Sequence, residues 1–167
     1  MRKPSMTAVF VFLVALGSTP AGPAMSFAQA EAERAAGTGN ITVEDATNCT
    51  TTVNTIQCNG KRCTYSDKIW WQVQNDHNQN ARVAVVNLKH QDSGLYVDPL
   101  QGPGNKSEHV VEVNGNGGTE TLKTKVRKQN GEYFAGLYDY KVAVSFYDGT
   151  SWGSWTVCLD PMIDIDA

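Results

Sequence analysis

The sequence predicts an all-β protein, a two-sheet sandwich of about seven or eight short strands held by disulfides. Short runs along the chain place apolar residues at every second position, the signature of half-buried strands. Gly, Asn, Asp and Pro clusters separate those runs at turn spacing. No stretch sustains the helical period.

The N-terminus reads as a secretory signal peptide over residues 1–30. Arg2 and Lys3 precede an apolar run from Thr7 to Leu16, and Ala28-Gln-Ala30 supplies a small-residue cleavage site. The apolar run is too short for the roughly 20 residues of a spanning helix, so no membrane span is expected. Residues 31–40 are polar and Gly-bearing and read as a flexible tail, which leaves 41–167 as one β-sandwich domain. The chain has 14 basic and 17 acidic residues, and losing Arg2 and Lys3 leaves 12 against 17. An acidic balance argues against nucleic acid as a partner. Export places the chain in a secreted or periplasmic, disulfide-permissive compartment.

Within the domain, Ile41–Val43 and Thr50–Gln57 read as weakly alternating strands, and Asn59-Gly60 is a turn tolerant of positive φ. Ser66–Gln74 turns Ile69, Trp71 and Val73 inward and Lys68, Trp70 and Gln72 outward. Arg82–His90 is a further strand. The 91–107 segment, with Asp92-Ser-Gly94 and Gly102-Pro-Gly104, reads as a functional loop or a sheet-to-sheet crossover. Thr119–Lys128 directs Leu122, Thr124 and Val126 inward and Lys123, Lys125 and Arg127 outward. Finally, Leu137–Tyr147, the 148–153 turn and Trp155–Leu159 form a hairpin, with Tyr138, Tyr140, Val142, Val144 and Phe146 on one face.

The spelling Gly136-Leu-Tyr138-Asp-Tyr140-Lys-Val142 resembles strand F of immunoglobulin-like domains. The resemblance implies an immunoglobulin-like sandwich with Tyr138 as a tyrosine corner and Tyr140 where those domains keep a Cys. It transfers no function. The closing Leu159-Asp-Pro-Met-Ile-Asp-Ile165 is similar to the last strand of small, uncharacterised exported bacterial β proteins.

Four Cys allow three disulfide pairings. Cys58 and Cys63 bracket the Asn59-Gly60 turn and favour bridging each other, which leaves Cys49 for Cys158. The Cys49, Cys58, Cys63 spacing lacks a nearby His for a zinc knot, since the next is His77. Between Cys158 and Met162 no His completes a blue-copper set. Neither a metal nor another cofactor is expected.

No nucleophile elbow occurs, and His90, Asp92 and Ser93 are strand-end neighbours whose side chains should diverge, so no catalytic residue is assigned. The expectation is a non-enzymatic binding module for a carbohydrate or a protein. The alternative is an exported hydrolase or metal-dependent enzyme using His77, His90 or His109. The candidate ligand-binding residues are Trp70, Tyr147, Trp152 and Tyr96, because outward aromatic rings stack on sugars or anchor protein partners. Packing against a second sheet or a loop is the competing explanation. The basic row Lys123, Lys125, Arg127 and Lys128 suits an anionic partner, or protects a sheet edge.

Overall fold

The computed structural model describes residues 35–103, 109–128 and 135–166. Eleven strands and no α-helix occur among them: β1 (Gly37–Val43), β2 (Cys49–Thr50), β3 (Thr55–Ile56), β4 (Lys68–Asn75), β5 (Ala81–His90), β6 (Leu100–Gln101), β7 (Val110–Val113), β8 (Gly118–Val126), β9 (Gly136–Phe146), β10 (Thr156–Leu159) and β11 (Met162–Ile165). The count exceeds the expected seven or eight because β2, β3 and β6 are two-residue pieces, too short for alternation to mark them. The expected signal peptide lies outside the described residues, and no described helix is long and apolar enough to cross a membrane.

The strands form two sheets. The first runs β2-β1-β4-β8-β6; the second runs β3-β11-β9-β5-β7, with β10 also on β9. The C-terminal hairpin organises the second sheet. One edge of β9 pairs with β5 along its length, while the other pairs with β11 at Gly136–Asp139 and with β10 from Val142 to Val144. The sheets enclose one core in which Ile69, Trp71 and Val73 of β4 and Leu122 and Val126 of β8 meet Tyr138, Tyr140, Val142 and Val144 of β9. Trp71 Nε1 donates to Tyr140 Oη at 3.0 Å and the rings meet edge to face, so the buried indole N–H is satisfied across the sheets.

Strand β1 begins at Gly37, inside the stretch read from sequence as a tail. Gly37 and Gly39 give no apolar signal, yet they fill a packing role. A Cβ at Gly39 would stand 2.8 Å from Trp71 Cδ1, so only glycine lets β1 lie beside that indole. The resulting β1–β4 pair is parallel, Gly39 opposite Trp71.

Both disulfides follow the pairing favoured from sequence. Cys58–Cys63 clamps the turn in which Asn59 and Gly60 take φ of 52° and 73°. Cys49–Cys158 joins β2 of the first sheet to β10 of the second, with Cα atoms 5.2 Å apart. Closing so long a loop restricts the unfolded chain more than closing the short one.

Candidate functional site

The outer face of the second sheet carries an apolar groove. Register puts Val110 of β7, Ala84 of β5, Ala143 of β9 and Val157 of β10 in one row across four strands. The two alanines form a low floor, 2% and 5% exposed and outside the interior core, while Val110 and Val157 stand up on either side at 40% and 48%. Trp155, 49% exposed, and Val86 extend the lining of a hollow of about 780 Å³. An outward face of an antiparallel sheet is ordinarily polar. Three half-exposed apolar side chains around an alanine floor depart from that pattern.

Polar groups bound the groove. Arg82 Nε and Nη2 donate to Glu112 Oε1 at 2.9 and 2.7 Å, and the Arg82 guanidinium lies 4.1 Å from the Trp152 ring centroid. Trp152 stacks on Tyr147 at 5.2 Å in a turn tied by Asp148, whose carboxylate accepts the N–H groups of Thr150 and Ser151 at 2.8 Å. Those main-chain bonds hold the Asp148 carboxyl below its usual range. Further along β5, the ladder is interrupted by a bulge between Val86 and Lys89, and Asn87 there has φ of 53°. A bulge re-aims side chains on its strand. Asn87 lines the groove and also a second hollow, which shares Val86 and Val110 with it and continues to Tyr96, Asp98 and His109.

The four expected ligand-binding residues divide between the faces. Tyr96 is exposed and lines the second hollow, and Trp152 abuts the Arg82 end of the first with Tyr147 behind it. Trp70 lies on the outer side of the first sheet under Lys123, so it does not join a surface with the 148–153 turn. Sequence reading missed Trp155, Val157, Val110 and Arg82. The available signal was the alternation of Trp155 and Val157 with Thr156 and Cys158, which places the indole and the valine methyls outside.

The three histidines stand apart. His77 braces the 75–80 turn, its Nδ1 accepting Gln79 N–H and its ring on Phe146 at 4.3 Å. His90 Nε2 lies 2.7 Å from Ala135 O, while Nδ1 accepts Ser93 N–H at 3.2 Å and is 3.1 Å from Ser93 Oγ. Ser93 Oγ therefore meets the His90 ring rather than diverging from it as expected, because the turn folds residue 93 back over the strand end. The group behind the ring is a neutral carbonyl where a triad uses a carboxylate. Buried His109 sets Nε2 3.0 Å from Asp98 Oδ2, and its Nδ1 has no hydrogen-bond partner among the described residues. No group of three or more His, Cys, Asp or Glu among the described residues is placed to hold a metal ion. Compared with known proteins, the chain matches no protein-family model and no curated protein sequence.

Proposed function

We propose that the protein is an exported, non-enzymatic interaction module with an immunoglobulin-like sandwich, and that it docks an extended apolar segment of a protein partner in the groove of the second sheet. The carrying observation is the cross-strand row Val110–Ala84–Ala143–Val157 beside the half-exposed Trp155. An alanine floor between raised valines accepts side chains from a partner, and burying the exposed parts of Trp155, Val157 and Val110 supplies a favourable term of about 25 cal/mol per Å². Trp with an adjacent Arg is a common composition for an interface hot spot. The charge of Arg82 is already met by Glu112, which favours an uncharged segment over an acidic one. Export is supported by two disulfides, which persist in oxidising compartments. The immunoglobulin-like reading is supported by the two-sheet arrangement and by the Trp71–Tyr140 contact at the position where the resembling domains keep a Cys.

Selection of displayed random peptides on the purified protein tests this. Apolar sequences whose retention is lost on Val157→Glu are the expected result. Recovered peptides indifferent to Val157→Glu would contradict it, as would a glycan competing them from the groove. Turnover in a hydrolase screen that vanishes with a single His77→Ala, His90→Ala or His109→Ala change would replace the non-enzymatic reading.

A further inference from the structure

The opposite face of the molecule has a different chemistry. On the outer side of the first sheet, Lys68 of β4 lies directly across from Lys125 of β8, and one row further on Thr38, Trp70 and Lys123 stand side by side. Lys123 Nζ is 4.7 Å from the Trp70 ring centroid, and Lys128 Nζ is 5.0 Å from that of Tyr65. The ion pairs among the described residues involve Arg62, Arg82, His109, Arg127 and Lys141, and none reaches Lys68, Lys123, Lys125 or Lys128. Lys68, Lys123 and Lys125 share this face without a carboxylate partner in a chain whose net charge is −3.

Edge protection suits Lys123, which lies on β8 beyond the two residues that β6 covers, but does not account for Lys68 or Lys125. Lys68 and Trp70 sit on β4, which is flanked by β1 and β8, and Lys125 lies where β8 pairs with Gln101 of β6. Like charges directly opposite one another on a sheet cost stability, so a partner that neutralises them is the simpler reason for the pair. The outward rows beyond the lysines are amide- and hydroxyl-bearing, with the exposed Glu120 also in the lining and Gln74 Nε2 donating to Asp76 Oδ1 at 2.7 Å. Asn40, Gln72 and Thr121, then Thr42, Gln74 and Thr119, line a shallow hollow of about 570 Å³ with amide and hydroxyl groups.

We infer that this face binds an acidic polysaccharide, one bearing carboxylate or sulfate groups on its sugar rings. The ammonium groups meet the anions, and the amides and hydroxyls match sugar hydroxyls in the adjoining rows. Lys123 is an exposed, flexible side chain; swinging its ammonium onto an anion uncovers the Trp70 ring for the apolar face of a pyranose. A linear chain fits, because the basic end and the polar rows succeed one another along the direction of β4. A bare polyanion would use only the lysines and leave Trp70 and Gln72 without a role.

The test is binding of the purified protein to polygalacturonate and to heparin, with dextran as a neutral sugar and polyphosphate and single-stranded DNA as anions that are not acidic sugars. The inference predicts affinity for at least one acidic polysaccharide that falls with added salt and exceeds that for polyphosphate and DNA. Lys123→Gln with Lys125→Gln should lower it about tenfold or more, and Trp70→Ala about fivefold. Val157→Glu, on the opposite face, should leave it unchanged, so failure here is distinguishable from failure of the groove. Equal binding to polyphosphate or DNA with no effect of Trp70→Ala would overturn the inference, and so would no binding to either acidic polysaccharide. If Trp70→Ala disturbs the fold, Gln72→Ala, at an exposed outward position, serves as the second variant and should weaken polysaccharide binding alone.

Discussion

The guanidinium of Arg82 stands 4.1 Å from the centroid of the Trp152 ring while its Nε and Nη2 hold Glu112 Oε1. One side chain on β5 thereby fixes the 148–153 turn and β7 at the same end of the groove. Trp152→Ala removes the stacking half of this arrangement and frees Arg82 to sample other rotamers. The expected loss of stability is no more than about 1 kcal/mol by urea denaturation with an unchanged m value. Affinity for a groove-bound apolar peptide should fall as well, since Arg82 lines the groove.

Tyr140 carries the hydrogen bond that joins the sheets. Tyr140→Phe leaves the buried Trp71 N–H without its acceptor and should cost about 1–3 kcal/mol. Burial also pushes the hydroxyls of Tyr138 and Tyr140 up to about 12. Their folded values lie above the unfolded value near 10, so the native state keeps protons that the unfolded chain gives up. The resulting stabilisation is whole below about pH 10 and is lost as pH rises towards about 12. Denaturation midpoints measured from pH 9 to 12 should fall. In Tyr140→Phe the fall should be shallower.

Gly39→Ala adds a Cβ against Trp71 and Ile56, both of which are buried. Overpacking of this kind typically costs about 1–3 kcal/mol. Thermal denaturation should show the loss, and a Trp71→Phe background should relieve part of it by opening space beside β1. Equal losses in both backgrounds would place the defect elsewhere.

The two disulfides should differ in worth. Replacing Cys49 and Cys158 together removes a link between residues 109 apart in sequence and should cost about 2–5 kcal/mol. Replacing Cys58 and Cys63, only 5 apart, should cost less. Paired denaturation curves of the two double variants check the order.

Much of the fold was legible because each core strand carries its own pattern. Ile69, Trp71 and Val73 alternate with Lys68, Trp70 and Gln72, and the structure buries the first set and leaves the second on the outer face. Leu122, Thr124 and Val126 behave likewise. Gly37-Thr-Gly39 was unreadable as a strand, since its inward residues have no side chain and their role depends on an indole 32 positions away. The site was less legible still. Val110, Ala84, Ala143 and Val157 come from four strands, and each strand alone shows one small or apolar residue facing out, which is ordinary. Only register brings them into a row. Trp152 and Tyr96 were picked out as outward rings, but the groove between them depends on the alanines.

The most direct measurement is calorimetric binding of a selected apolar peptide to the wild-type protein, Trp155→Ala and Trp70→Ala. The account predicts a negative heat-capacity change for the wild type, at least about a tenfold loss of affinity for Trp155→Ala and no change for Trp70→Ala. Equal affinity of Trp155→Ala and wild type would contradict it.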